Sequence, residues 1–471
     1  MSDFAERLRA ALGSRVHTDA ETLAAHRRDT WALAQIHDLL GRGAPPPLAV
    51  VRPESTAEVA TLLRLCRDAR VPVIPFGGGS GVCGGVEARP DAVVLSTRAL
   101  DGLVSLDSRD LRAAFRAGTM GGEAERRVAR EGLTIGHWPQ SIELSTVGGW
   151  VATRAAGQFS TSYGSIEDLV LALEVVLPDG RILRTAETPR ASAGPDLRQI
   201  FMGSEGTLGV VTEVGFSLRP QPEARRLAAF HFETLDAGLE AIRRFVRVGW
   251  RPPVVRLYDE RESRRQFAAE CPEGRCLLLL VHEGPEGAVA AEAAGVTDLC
   301  RAELGEAADP KAVEHWLEHR NQVPSFRELN ERGLVVDTIE VAATWDRVMP
   351  MYRAVVSSLR ELPEVALASA HSSHSYRSGT NLYFTFAARV EDRQRMPEIY
   401  AECWRRAMQA TAASGGGIAH HHGIGRVRRA QLRGELGDAG VSLLRALKCS
   451  LDPDDLLNPG VLLPDPAPNA P

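Results

Sequence analysis

The chain has 471 residues, more than one hydrophobic core usually organises, so it reads as two domains or as one large domain carrying an insertion. With 44% hydrophobic and 25% charged residues, a net charge of -6 and no long block of one sign, it falls outside the disordered, fibrous and general nucleic-acid-binding classes. Its seven cysteines are odd in number and scattered, which argues against a disulfide framework and for a reducing compartment.

The opening Met1-Ser2-Asp3-Phe4-Ala5-Glu6-Arg7 mixes charges and lacks an apolar segment, so neither a secretory signal nor a spanning helix is expected, and a cytoplasmic location is. Residues 1–44 read as mainly helical and run into Pro45-Pro46-Pro47, after which the fold is expected to begin with a strand at Leu48 to Val51. Ser55 and Glu58 predict a capping box opening an amphipathic helix from Thr56. A strand from Val73 to Phe76 then enters Gly77-Gly78-Gly79-Ser80-Gly81-Val82-Cys83-Gly84-Gly85, and another strand, Ala92 to Ser96, comes almost at once.

Gly79 to Gly84 satisfies G-x-G-x-x-G after a strand, so a Rossmann site is the first reading. That site needs a helix N-terminus on the pyrophosphate, and the next strand leaves no room for one. No Gly-Lys-Ser/Thr comes after the loop either, which excludes a P-loop. What remains is a run of bare main-chain N–H groups able to cradle an anion, or equally a surface loop with no ligand. A second loop, Ser145-Thr146-Val147-Gly148-Gly149-Trp150-Val151-Ala152-Thr153-Arg154-Ala155, adds hydroxyls, glycines and a short buried helix and favours the anion cradle.

Further on, Leu169 to Leu177 and Arg181 to Arg184 read as strands around the turn Pro178-Asp179-Gly180. Beyond about residue 222 the pattern becomes strand, helix, strand: Leu227 to Phe232, Leu235 to Val246, Val254 to Tyr258, then Cys276 to Val281 and a helix from Gly287. This predicts an antiparallel sheet carrying helices, a separate substrate domain. From Gly415 the chain is rich in Gly and His, and the Pro-rich end, residues 464–471, is expected to be disordered.

The strand-glycine-strand element, the Ser-Thr-Val-Gly-Gly-Trp loop and Gly203-Ser204-Glu205-Gly206-Thr207-Leu208-Gly209-Val210-Val211 together resemble the FAD-linked oxidases of the vanillyl-alcohol-oxidase family. The resemblance implies an α+β architecture: a split PCMH-type FAD-binding domain of two α/β subdomains over residues 45–222, an inserted antiparallel-sheet cap over 223–414, and a segment 415–463 returning to the flavin. It implies that Pro75, Phe76, Gly77, Gly78, Gly79, Ser80 and Gly81 hold the FAD pyrophosphate. Gln140, Ser141, Ile142, Glu143, Leu144, Ser145 and Thr146, with Thr153, Arg154, Ala155 and Ala156, would flank the ring and ribityl. Glu205, Gly206, Thr207, Leu208, Gly209, Val210 and Val211 would complete the wall. Covalently flavinylated relatives carry a His in the glycine loop; none stands here, so the FAD is expected to be non-covalent, and Cys83 to be a packed, inert thiol.

Members similar to glycolate and D-lactate dehydrogenases bind a divalent metal through a His-x-Gly-Asp-Gly-Asn-x-His motif and a Glu-His-Gly-Ile-Gly motif. Here Tyr383 stands where the last His of the first would be, and His421 replaces the Glu in His420-His421-His422-Gly423-Ile424-Gly425. No resident metal is therefore expected. The same departures, with Gly136-His137, Glu143, Ser192-Ala193-Gly194-Pro195-Asp196 and Trp345-Asp346-Arg347-Val348, resemble the alkyldihydroxyacetone-phosphate synthases. Those enzymes exchange the acyl group of acyl-dihydroxyacetone phosphate for a fatty alcohol through an adduct at flavin N5, without net redox change.

By that resemblance Tyr383 is the acid/base, Arg327 binds phosphate, Arg256 supports the site, and His420, His421 and His422 orient substrate and flavin. It further implies lipid substrates, no nucleic acid, peripheral contact with a membrane and a homodimer. The alternative function is that of an FAD-linked oxidase or dehydrogenase of 2-hydroxy acids. By pattern alone, Tyr383 among Leu382, Phe384 and Phe386 would be a core aromatic, Arg256 a strand-edge charge, Arg327 a solvated helix residue, and the three histidines a polar turn or a metal site.

Overall fold

Residues 2–189, 191–323 and 325–465 are described by a computed structural model. The expected disordered tail lies outside the described residues apart from Pro464 and Asp465. Both are anchored there, Arg445 donating to the Pro464 carbonyl at 2.6 Å and Arg429 pairing with Asp465 at 3.0 Å.

The first sheet holds the parallel strands Ala49–Val51, Val93–Ser96 and Val73–Phe76. Its fourth strand comes from the segment expected to precede the fold: Val16–His17 pairs antiparallel with Val51 and Val50 and covers an otherwise open edge. The segment goes further, closing on the far end of the glycine loop. Asp29 N–H donates to the Val86 carbonyl at 3.2 Å and Val86 N–H to the Asp29 carboxylate at 3.3 Å, while Thr30 N–H donates to the Gly81 carbonyl at 2.9 Å. At Thr56–Ala69 the Ser55 hydroxyl accepts from Glu58 N–H at 3.2 Å. The Glu58 carboxylate, however, reaches the N–H of Glu54 at 2.6 Å, one residue earlier than a capping box requires.

No helix intervenes between Phe76 and Val93, which removes the Rossmann arrangement on structural grounds. The second, antiparallel sheet runs Leu103–Asp107, Arg112–Arg116, Val210–Ser217, Val170–Val176, Ile182–Arg184. The short helix Val147–Thr153, capped by the Thr146 hydroxyl on Gly149 N–H, buries Trp150 against it.

The third sheet has seven strands in the order Glu306–Ala308, Ala224–Phe232, Cys276–Gly284, Val254–Tyr258, Val365–Ser372, Gly379–Arg389, Leu334–Thr344. Successive side chains in a strand point to opposite faces. Val255, Leu257, Ala368, Ala370, Leu382, Phe384, Phe386, Ile339 and Val341 therefore face one way, into the core with helices Leu235–Val248, Val348–Arg360 and Met396–Ala413. Arg256, Tyr258, His371, Tyr383 and Glu340 are forced onto the other face, toward the flavin-binding half. That alternation separates Tyr383 from the core aromatics flanking it in sequence. The helix Leu432–Leu451, bent at Gly437, closes the chain. Among the described residues no helix is long and apolar enough to cross a membrane.

Candidate active site

The two glycine-bearing loops and the third wall pack on one another. A Cβ on Gly78 would run into the Leu144 carbonyl oxygen, one on Gly77 would lie 2.7 Å from the Thr146 hydroxyl, and one on Gly206 would lie 2.9 Å from Pro75. Gly203 N–H and Glu205 N–H donate to the carbonyls of Val151 and Ala152 at 2.9 and 2.8 Å. Between them lies the feature expected of an anion cradle: among the described residues, no backbone N–H from Gly78 to Val82 donates to a protein acceptor. A run of main-chain donors without partners is a binding surface for phosphate oxygens, so these residues fit a pyrophosphate. Not all of the predicted wall turns inward. Glu143 pairs with Arg126 at 2.9 Å and Leu144 is 48% exposed, while the Gln140 amide donates across to the Gln322 carbonyl at 2.7 Å.

Glu205 ties this half to the histidine loop. Its backbone has φ 51°, and its buried carboxylate accepts from Ile424 N–H at 2.7 Å and Gly425 N–H at 2.8 Å. Burial pushes its carboxyl up to about 7, with the two N–H groups pulling the other way. Asp29 nearby is likewise raised by burial to about 7. Cys83 lies behind the loop, buried, with Arg428 Nη1 3.1 Å from its sulfur; burial pushes the thiol well up, as an inert cysteine requires.

On the sheet face turned toward the flavin-binding half, Tyr383 sits in register between Glu340 and His371. The His371 ring stacks on it at 4.9 Å, His421 lies 6.3 Å away nearly parallel, and His422 meets it edge-on at 5.6 Å. Burial is the main reason its phenol is held above the ordinary value. His374, which the sequence passes over, enters the cluster with its Nδ1 2.6 Å from the Ser160 hydroxyl. His374, His420 and His421 each bring one ring nitrogen to within 4.8 Å of the others. Burial lowers all three, His420 to about 4, and their neighbouring rings lower His374 and His421 further, so the group is neutral imidazole at physiological pH. Tyr376 Oη contacts His420 Nε2 at 2.8 Å.

Arg256 joins the site through Nε to Tyr258 Oη at 2.9 Å and Nη2 to His371 Nε2 at 2.7 Å. Arg327 does not: its side chain is 79% exposed and paired with Glu331 along its own helix at 3.1 Å. The cation that does arrive is Arg320, seven residues earlier in the chain. It donates to Gln158 Oε1 at 2.8 Å and lies over Phe159 at 5.1 Å, and it shares the Trp316 ring with Arg256, at 6.0 and 5.2 Å. Neither Arg256 nor Arg320 has a carboxylate partner within ion-pair distance among the described residues, and burial together with Arg225 brings Arg320 down to about 10. Nothing in the sequence marked Arg320, since it ends a helix rich in polar residues.

The chain matches the model of an FAD binding domain over residues 47–186 and that of the FAD linked oxidases' C-terminal domain over residues 221–462. It is 33% identical over 476 residues to the uncharacterized FAD-linked oxidoreductase YgcU of Escherichia coli K12, with 98% of both chains covered. It is 29% identical to the alkyldihydroxyacetonephosphate synthase of Trypanosoma brucei brucei, covering 98% of this chain and 81% of that one, and 26% identical to glycolate oxidase subunit GlcD of Bacillus subtilis, covering 88% of each. A solved alkyldihydroxyacetonephosphate synthase superposes with a TM-score of 0.82 at 26% identity over 98% of this chain and 84% of that one. P-cresol methylhydroxylase, at 17% identity and a TM-score of 0.76 over 98% of this chain and 96% of that one, shares the fold. The expected fold class and cofactor are thereby shown: the protein has the PCMH-type FAD-binding fold, its cofactor is FAD, and the chain belongs to the family of FAD-linked oxidases.

Proposed function

We propose that the protein is an alkyldihydroxyacetone-phosphate synthase-like transferase, replacing the acyl group of acyl-dihydroxyacetone phosphate by a fatty alcohol. The observation that carries this reading is the composition of the sheet face. A phenol, neutral imidazoles and two guanidiniums without carboxylate partners converge there, where metal-assisted relatives place a histidine and a glutamate. Bound between the glycine loop and this face, FAD supplies a ring that can accept and return a substrate carbon or electrons.

The protein's own groups supply the rest. Tyr383 is assigned the proton at the substrate carbon, and its raised pKa keeps the hydroxyl protonated until a base accepts from it. Arg256 and Arg320 are assigned the substrate phosphate in place of Arg327, because a buried and a half-buried guanidinium without counter-ions bind phosphate more strongly than a solvated, already paired one. The neutral histidines supply hydrogen bonds to the departing carboxylate.

A second reading, oxidation of 2-hydroxy acids, is favoured by one feature, the convergence of the nitrogens of His374, His420 and His421. An anaerobic titration separates the two. Palmitoyl-dihydroxyacetone phosphate is expected to bleach the flavin with no electron acceptor present, and a flavin untouched by it yet bleached by glycolate or D-lactate would overturn the transferase reading.

A further inference from the structure

Glu340 is a fully enclosed charge that touches the histidine loop. It lies in the apolar strand Leu334–Thr344, and both carboxylate oxygens are committed to His422 in that loop and to Arg428 just beyond it. Oε1 accepts the His422 backbone N–H at 2.9 Å; Oε2 lies 2.6 Å from His422 Nδ1 and 2.9 Å from Nη2 of the fully buried Arg428. Burial alone would raise this carboxyl, but Arg428 and then His422 outweigh it and hold it well below the usual carboxylate range. The contact is a close ion-pair approach and not an aligned hydrogen bond, but a carboxylate 2.6 Å from an imidazole nitrogen still repels that nitrogen's lone pair and attracts its proton, which favours the hydrogen on Nδ1 and leaves Nε2 as acceptor.

The other imidazole beside Tyr383 is a useful contrast. His371 also turns Nδ1 toward a buried carboxylate, Glu262 at 3.4 Å, but its Nε2 is occupied by Arg256 at 2.7 Å. His422 Nε2 has no such partner among the described residues. The remaining groups around the His422 ring are Asp337 on the same strand as Glu340, Tyr383 on the next strand, and His420 and His421 on its own loop. None of them offers a second carboxylate to Nδ1, because Asp337 is committed to Tyr400 Oη at 2.7 Å and Trp404 Nε1 at 2.9 Å.

We propose that Glu340, clamped by Arg428, is a positioning residue that fixes the tautomer of His422, leaving Nε2 as a proton acceptor beside Tyr383. This rests on the proposed reading of the sheet face as the reactive one, but not on the transferase chemistry, so its test reads no turnover.

The experiment is nitrogen-15 imidazole spectroscopy of the FAD-loaded full chain labelled at histidine, near pH ~8, above the ordinary imidazole range. His422→Gln identifies the His422 signals by their loss. The expected wild-type signature is a protonated Nδ1 with an unprotonated, far-downfield Nε2. In Glu340→Leu, which offers Nδ1 no acceptor, the proton is expected to move to Nε2. A wild-type His422 protonated at Nε2 overturns the proposal, as does a Glu340→Leu protein whose His422 signature is unchanged. If Glu340→Leu fails to fold, the wild-type signature alone decides between the outcomes.

Discussion

Tyr383 owes its place to the period of a strand. Its neighbours Leu382 and Phe384 are fully buried in the helix-covered core, while its own ring is turned out between two imidazoles. Tyr383→Phe keeps that stacking area and removes only the hydroxyl. FAD content is expected to be unchanged while turnover falls by about 100-fold or more, measured as the rate of flavin bleaching and of product formation. The two arginine positions separate in the same assay. Losing a charge-assisted contact worth ~1.5–3 kcal/mol at Arg320 raises KM for the phosphorylated substrate by roughly 10- to 100-fold in Arg320→Ala, and Arg327→Ala leaves it unchanged.

Glu205 gives a pH signature at the same scale. Because its folded value, about 7, lies above the ordinary value 4.5, ionising it in the folded state is unfavourable. Its contribution is best below the unfolded value and is lost as pH rises through about 7, a swing of roughly 3 kcal/mol. The stability difference between wild type and Glu205→Gln, from denaturant melts at successive pH values, is expected to drift against the wild type between pH ~5 and ~8. A flat difference would show that Glu205 is not held neutral.

The glycine loop works as an element because it contributes no side chains where the second loop approaches. Gly78→Ala drives a methyl into the Leu144 carbonyl, and Gly425→Ala does the same at the Cys83 carbonyl from a backbone at φ 54°. Both variants are expected to purify folded but with little FAD, read as the ratio of flavin to protein absorbance. The strand on either side and the missing helix were legible in the sequence, since Pro90 and the apolar Ala92 to Ser96 leave no space for one. The strand Val254 to Tyr258 was legible too, but Tyr383 and Arg256 were reached only through the family resemblance, since by pattern alone they read as a core aromatic and a strand-edge charge. The hidden features depend on distant segments meeting. Arg320 becomes a site residue only because Gln158 and Phe159 fold against it. The 16–17 strand forms on the edge that Val50 and Val51 leave open on the side away from Val94 and Leu95. Glu340 did leave a trace, as one of two lone acids in an otherwise apolar strand, but its partner Arg428 sits in a run of arginines with no distinguishing pattern.

At the scale of the whole molecule, the proposed flavin site would be walled by four separated stretches of chain: the glycine loop, the loop around the Trp150 helix, the Glu205 turn and the histidine loop. Glu205 bolts the last two together across 219 residues of sequence through Ile424. The N-terminal segment adds a further tie, since Asp29 and Thr30 hold the glycine loop and Trp31 Nε1 donates to Tyr400 Oη in the cap domain at 2.9 Å. A ligand that satisfies the unpaired N–H groups of Gly78 to Val82 therefore stabilises contacts belonging to both halves at once. Stripping FAD is expected to lower the melting temperature of the entire chain in a single transition, and excess FAD to restore it; at about 1,000 Kd of free FAD the stabilisation is roughly 4 kcal/mol. If instead only one of two transitions moves when FAD is removed, the cap is stable without the cofactor, and the bridging by Glu205 and Trp31 is too weak to couple the halves.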